Sequence, residues 1–351
     1  MVKEQEIEEQ ALDALRACLR EIPFLTIKEA QREFRQTGPA LDQIVTLDLN
    51  GQETLLLVEV KNNGQPRQVR DAANEILRNR TAFPQAYGVF VAPYVSPQAA
   101  DICRQEGIGY VDLAGNCRLS FGAIFVERQG RPNPFGQKRS LRSLYSPKAA
   151  RVLRVLLEKP DRHWKLQDLA REAKVSLGQA YNVKELLADR EWLLSEAGGL
   201  RLFQPAALLD EWAGNYDLKR NPLREYYSLL SIAEIESSVA QACRQEGVRY
   251  ALAGFSAAER LAPFVRYQRA AAYIGSNVES IATRLSFKEV ASGANVTLLT
   301  PYDEGVWYGV LEIGEVCVTS AIQTYLDLRS TRARGEEAAE FLRKQEIEKR
   351  W

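Results

Sequence analysis

Residues 41–61 read Leu-Asp-Gln-Ile-Val-Thr-Leu-Asp-Leu-Asn-Gly-Gln-Glu-Thr-Leu-Leu-Leu-Val-Glu-Val-Lys. Two runs rich in Leu and β-branched residues flank Asn50-Gly51, a dipeptide that favours the two-residue type I′ turn of a β-hairpin. With that pair as the loop, Leu49 faces Gln52, and the register carried back along both strands sets Asp42 opposite Glu59. Directly opposed side chains have Cβ atoms about 5 Å apart, so the two carboxylates repel unless something positive sits between them. Alternation along the strand puts Glu59 and Lys61 on one face and turns Val60 away. Asp42, Glu59 and Lys61 therefore converge at one end of the hairpin. Asp42 and Glu59 are candidate ligands for Mg²⁺, which takes carboxylate oxygens and keeps several waters. Such an ion acidifies a bound water, and Lys61 would orient it. The set fits hydrolysis of a phosphodiester. The plainer alternative is that Asp42 caps a strand and Lys61 neutralises Glu59.

Outward from the hairpin, residues 3–20 carry Ile7, Leu12, Leu15 and Leu19 near one helical face, behind a start rich in glutamate. Pro66–Arg78 reads as a further helix and Tyr87–Ala92 as a buried strand. Ser96-Pro97 opens another helix as N-cap and N1. Asp112 and Asn116 read as turn formers, with a polar site role as the alternative. The hairpin and its surroundings resemble the PD-(D/E)xK nuclease superfamily, the restriction-endonuclease-like fold. The resemblance rests on Asp42 as the lone aspartate, Glu59-Val60-Lys61 as the ExK element, and the order of helix, strand, hairpin and helix. It implies a Mg²⁺-dependent DNA endonuclease. Glu8 or Glu9 would stand where some members carry an extra metal-binding glutamate. Leu41 departs from the motif proline, and only Gln68 and Asn74 are loose candidates for the downstream polar residues some members carry.

The middle of the chain has a different pattern. Ser146-Pro147 reads as N-cap and N1 of a helix Lys148–Glu158, with Val152, Leu153, Leu156 and Leu157 apolar. Trp164–Ala173 gives a second helix. Ser176 caps a third that runs to about Arg190, and Trp192–Phe203 reads as a hairpin around Gly198-Gly199. Three helices and a hairpin form the pattern of a winged helix-turn-helix, whose third helix enters the major groove of duplex DNA. Its apolar stripe is Ala180, Val183, Leu186 and Leu187. Gly178, Asn182 and Glu185 fall opposite, with Gln179 and Tyr181 on the flanks. Asn182 and Gln179 are candidate adenine readers, and Ser176 is a candidate contact at the helix start. Lys148, Arg151, Lys184 and Arg201 are candidate phosphate contacts. Between Glu127 and Glu158 no acid occurs, while Arg128, Arg131, Lys138, Arg139, Arg142, Lys148, Arg151 and Arg154 supply a cationic stretch. That stretch adds Arg139 and Arg142 to the DNA-contact candidates. A protein-interaction module of the same shape is the alternative. His163, between two helices, reads as a surface residue.

In the last block, Val248–Ser256 looks like a strand entering a Gly-x-Ser turn before a helix. This is similar to nucleotidyltransferase-like folds, which hold metal on a pair of carboxylates of the next strand. The candidate strand here, Ala270-Ala-Ala-Tyr-Ile274, has no acid, so such a domain is expected to be catalytically silent and to serve partner binding. The winged-helix run 146–203, Tyr250–Ser256, Gln323–Arg329 and Arg334–Ala339 together resemble the AbiEi-type antitoxin family of type IV toxin–antitoxin systems. That resemblance implies a DNA-binding regulator of its own operon that counters a nucleotidyltransferase toxin. A weak echo links Ala100–Tyr110 to Ala240–Tyr250: in both, a helix is expected to end at a C′ glycine, Gly107 or Gly247, and lead into a strand.

The 351 residues exceed one ordinary core, and 46% hydrophobic with 26% charged residues is the balance of a folded chain. No apolar run reaches the length of a membrane helix. The charged start is not a secretory signal, so the cytoplasm is expected. Five scattered cysteines without CxxC spacing argue against a zinc knot or a disulfide framework, and a single histidine leaves any catalysis to carboxylates, Lys and Arg. The reading is an α/β multidomain protein. It comprises a nuclease-like domain over 1–130, a basic linker over 131–145, a winged helix over 146–221 and a nucleotidyltransferase-like domain over 222–351. Double-stranded DNA is the expected partner, with a cognate nucleotidyltransferase toxin as a second. The oligomeric state stays open.

Overall fold

A computed structural model describes residues 4–20, 22–34, 41–135, 144–331 and 334–351. The chain divides into two compact units, residues 1–142 with 186–191, and residues 143–185 with 192–351.

The first unit is built on a seven-stranded sheet in the order β1-β2-β3-β4-β5-β6-β7. Its strands are β1 (Leu25–Phe34), β2 (Leu41–Leu49), β3 (Gln52–Val60), β4 (Tyr87–Ala92), β5 (Gly109–Asp112), β6 (Cys117–Phe121) and β7 (Ile124–Arg128). β3, β4 and β5 are parallel, and antiparallel pairs flank them. Parallel neighbours need crossovers, supplied by α2 (Pro66–Arg80) and α3 (Pro97–Gln105). Helix α1 (Glu4–Leu19) covers one face, where Ile7, Ala11 and Leu15 meet Val45, Val58 and Val60. The other face holds Ile44, Leu57 and Phe90 against Val69, Ala73 and Ile76 of α2 and Ile102 of α3. β3 is therefore buried on both sides, and its alternation decides which side chains meet which helix.

The β2–β3 hairpin has the expected register, from Leu49 opposite Gln52 to Gln43 opposite Val58. Asn50 and Gly51 take φ of 51° and 87°, the left-handed pair that a type I′ turn requires. The cysteine expectation is corrected at one place: Cys18, near the end of α1, and Cys117, at the start of β6, form a disulfide. They lie 99 residues apart and meet only because α1 packs on the sheet, so local spacing could not announce the pair.

The second unit opens with α4 (Pro147–Glu158), α5 (Leu166–Glu172) and α6 (Leu177–Asp189), whose residues from Leu186 on are grouped with the first unit, and continues with a hairpin of β8 (Leu193–Glu196) and β9 (Gly199–Leu202). Glu196 pairs with Gly199, so the loop is Ala197-Gly198, one residue earlier than the sequence pattern put it. Leu200 also bridges to Trp164, which lays a third short segment beside the hairpin. Here Gly199 is needed, since an added Cβ would lie 2.6 Å from the Trp164 carbonyl oxygen.

Helix α7 (Pro205–Asn215) leads into a seven-stranded mixed sheet, β13-β10-β14-β12-β11-β16-β15. Its strands are β10 (Leu223–Tyr227), β11 (Tyr250–Leu252), β12 (Ala270–Ile274), β13 (Lys288–Glu289), β14 (Val296–Leu299), β15 (Leu311–Ile313) and β16 (Val316–Val318). The helices α8 (Ile232–Gln245), α9 (Gly254–Leu261), α10 (Val278–Arg284), α11 (Ala321–Arg329) and α12 (Gly335–Leu342) complete the unit. One sheet face packs on Ile235, Val239 and Cys243 of α8 and Ile281 of α10. The other sets Ala251, Tyr273 and Leu299 against Val306 and Trp307.

Candidate functional site

Two places carry the sequence candidates. The first lies at the end of β3. Asp42 accepts a hydrogen bond from the Val60 N–H at 2.7 Å. Lys61 Nζ donates to Glu59 Oε1 at 2.6 Å and to Glu75 Oε2, on α2, at 2.9 Å. Asp42, Glu59 and Lys61 are thus brought together as the hairpin register implied. They meet on the α2 side of the sheet, because Glu59 alternates with Val58 and Val60, which face α1. That same fact takes α1, with Glu8 and Glu9, to the opposite face. The helical carboxylate that joins the cluster is Glu75, which the sequence reading missed. It follows Gln68 by two helical turns, so the α2 pattern held the signal. Asn74, one of the candidates named on that helix, is exposed.

The electrostatics follow from crowding. Burial, the hydrogen-bonded Glu75 and the Asp42 charge together push the Glu59 carboxyl up to about 9, against the pull of Lys61. Burial also raises Asp42. Glu75 is held below the usual carboxylate range by its hydrogen bond to Glu59 and by Lys61. Burial opposes the charge on Lys61, but Glu59 and Glu75 hold its ammonium above the ordinary value. Glu59 Oε2 is buried with no hydrogen-bond partner. An orphaned acceptor beside a second carboxylate is a hard-oxygen donor set, and Mg²⁺ binds through one or two carboxylates with waters. The residues fit that ion to this extent. Among the described residues, no group of three or more His, Cys, Asp and Glu is arranged to hold a metal.

The second place is α6 and its surroundings. Ser176 Oγ accepts from the Gln179 N–H at 3.2 Å and caps the helix. Ala180, Val183 and Leu187 are buried. Ser176, Leu177, Gly178, Tyr181 and Asn182 are exposed, while Gln179 is half-buried. Lys184 pairs with Glu185 at 2.7 Å and lies over the Tyr181 ring. Arg201, on the hairpin, is held by Glu196 at 3.0 Å, and His163, exposed as expected, meets the same carboxylate. Lys148 and Lys174 are exposed. Arg139 and Arg142 lie outside the described residues.

Arg151 departs from its expected role. Its guanidinium forks onto Asp303, with Nε–Oδ1 at 2.9 Å and Nη2–Oδ2 at 2.7 Å. The neighbouring Arg154 is 2% exposed and donates to Gln323, whose amide in turn donates to Asp327 at 2.7 Å. The Tyr216 and Tyr273 hydroxyls also donate to Asp327, at 2.8 and 3.0 Å. Two arginines of the cationic stretch are thus structural. A run of basic letters cannot distinguish an arginine facing solvent from one facing an acid distant in sequence. Asp112 braces a turn, accepting from Val95 N–H and from Asn116 N–H and Nδ2, as the turn reading expected.

The fold is thus a mixed α/β one in two units, the second joining a three-helix and hairpin module to a mixed sheet. Residues 201–348 match the family described as "Transcriptional regulator, AbiEi antitoxin, Type IV TA system". The match covers the end of the hairpin and the sheet that follows. No curated protein matches the sequence. Among solved structures, an EndoMS–dsDNA2 complex is 18% identical with a TM-score of 0.26, over 32% of this chain and 45% of that one. A repair endonuclease from Pyrococcus abyssi is 17% identical with a TM-score of 0.24, over 30% and 46%. The chain spans less than half the length of these structures. Among the described residues no helix is long and apolar enough to cross a membrane.

Proposed function

We propose that this chain is a DNA-binding regulator of the antitoxin kind, which holds duplex DNA through α6 and the β8–β9 wing. The observation that carries the reading is the two-sided character of α6. One side is buried through Ala180, Val183 and Leu187, and the start of the other is open at Ser176, Gly178, Tyr181 and Asn182. A helix presented in this way behind a helix–turn and ahead of a wing is the geometry that enters a major groove. The family match over 201–348 supports the regulatory role. Lys148, Lys184 and Arg201 act on phosphates in this reading, with Arg139 and Arg142, and the β10–β16 sheet serves a toxin partner of the nucleotidyltransferase class. The sheet carries no catalytic role in this reading, since β12, Ala270–Ile274, has no acid. A mobility-shift series on the DNA upstream of the gene tests the reading. Binding should weaken steeply with salt as phosphate neutralisation releases counterions. Undetectable binding at every salt concentration ends it.

The carboxylate cluster supports a second reading, a Mg²⁺-dependent endonuclease. Asp42 and Glu59 would hold the ion, which would supply an acidified water and charge neutralisation at phosphorus. Lys61, fixed between Glu59 and Glu75, is the positioning group. Plasmid incubated with Mg²⁺ or Mn²⁺ should be cut by the wild type and spared by Lys61→Ala. If neither cuts, the nuclease reading falls and the regulator stands.

A further inference from the structure

The face that α6 offers has a composition that bears on sequence preference. Residues 176–189 contain no arginine, and their single cation, Lys184, which the DNA reading gives to phosphate, pairs with Glu185 and lies over the Tyr181 ring. Guanine is read chiefly by Arg or Lys reaching O6 and N7, so this face lacks the group that favours G·C pairs. What it does expose is Asn182 together with two large apolar side chains, Leu177 at 48% and Tyr181 at 50% exposure. Leu177 and Tyr181 stand at i and i+4, on one edge of the helix. An amide is the side chain that pairs bidentately with adenine N6 and N7, and apolar groups complement the thymine methyl. Gly178 adds an independent observation. It lies in the first turn with helical backbone, and a Cβ placed on it meets nothing within 4 Å. Neither a left-handed φ nor a neighbouring atom of the protein requires glycine there, although glycine disfavours the helix relative to alanine. Bare backbone at an exposed position allows close approach by something outside the chain.

We propose that α6 selects A·T pairs: Asn182 reads adenine, Leu177 and Tyr181 pack on thymine methyl groups, and Gly178 lets the helix sit deep in the groove. The proposal rests on the reading of α6 as the groove-entering helix and names what that helix recognises.

The test uses the full chain and a randomised duplex library at fixed low salt, with retained duplexes sequenced. A·T pairs should dominate the contacted positions. Replacing a selected thymine by uracil, which lacks only the methyl group, should weaken the wild type several-fold and leave Leu177→Ala or Tyr181→Ala nearly unaffected. Asn182→Ala should lose its adenine preference by on the order of tenfold. Gly178→Ala should melt no lower than the wild type yet bind less tightly, which separates a lost contact from a lost fold. Selection of G·C pairs overturns the proposal while leaving the DNA reading intact. So does a uracil substitution that the wild type does not feel, together with an unchanged Asn182→Ala profile. Retention of no duplex removes the DNA reading and the base preference with it, and gives the exposed face to a protein partner.

Discussion

Glu59 sits where three carboxyl groups crowd one ammonium, and its behaviour is a consequence of alternation along β3. Its folded value, near 9, lies above that of an exposed glutamate. Below about pH 4.5 both folded and unfolded chains hold the proton, and no penalty arises. As pH rises toward 9 the unfolded chain releases the proton while the folded one keeps it, so stability falls by up to about 1.4 kcal/mol per pH unit. We expect Glu59→Gln to flatten that fall: its thermal midpoint in metal-free buffer should gain on the wild type between pH 5 and pH 8. An equal pH slope in both proteins would refute the assignment. Arg154 is the counterpart in the second unit. Its removal strands the Gln323 carbonyl, which faces it, and takes away a positive charge that favours ionised Asp327. Asp327 is already pushed up to about 6 by burial. Arg154→Ala should destabilise by about 3 kcal/mol in denaturant titration, the scale for breaking a buried charged contact; a change below about 0.5 kcal/mol, typical of surface sites, would count against the network.

At the scale of elements, the helix termini were the most readable features. The echo between Ala100–Tyr110 and Ala240–Tyr250 proves to be the same C-terminal stop. In each, a glycine (Gly107, Gly247) takes a left-handed φ of 68° or 65°. The amide after it bonds back to a cysteine carbonyl, Ile108 to Cys103 at 3.0 Å and Val248 to Cys243 at 2.8 Å. Hairpin turns were legible for the same reason: Asn-Gly dictates its own dihedrals. The β8–β9 turn was legible only to within a residue, because Gly198 and Gly199 both permit it, and the close approach of Trp164 decides between them. Ser176 makes the start of α6 depend on one local bond. Ser176→Ala should cost about 1 kcal/mol of stability in the second unit, measured by denaturant midpoint. Restoration by Ser176→Asp, another capping residue, is the accompanying expectation; no loss in the alanine variant would show that the bond is idle.

On the scale of the whole molecule, pattern divides the residues after 145 into a helical module and a sheet module, yet contacts gather 143–185 and 192–351 into one unit. The seam is made by α4: Arg151 on Asp303 and Arg154 on Gln323 join it to segments 150 or more residues away. We expect the β8–β9 hairpin, residues 193–202, and the sheet strands β11, β12 and β14 to lose hydrogen-exchange protection in one step as denaturant rises. Arg151→Ala with Arg154→Ala should split that step, the hairpin opening first. Two separate steps in the wild type would refute the coupling.

The sequence by itself determined the hairpin at residues 41–61, the convergence of Asp42, Glu59 and Lys61, the three helices with the hairpin that follows them, and the glycine stops. Each of these is encoded in neighbours within a few residues, where dihedral preference and side-chain period act directly. Only the tertiary structure decided that Glu75 joins the cluster, that Cys18 meets Cys117, and that Arg151 and Arg154 turn inward to the protein. Those outcomes depend on which sheet face a helix covers and on which distant acid an arginine meets. Such pairings are set by packing over the whole chain, and no short stretch of residues specifies them.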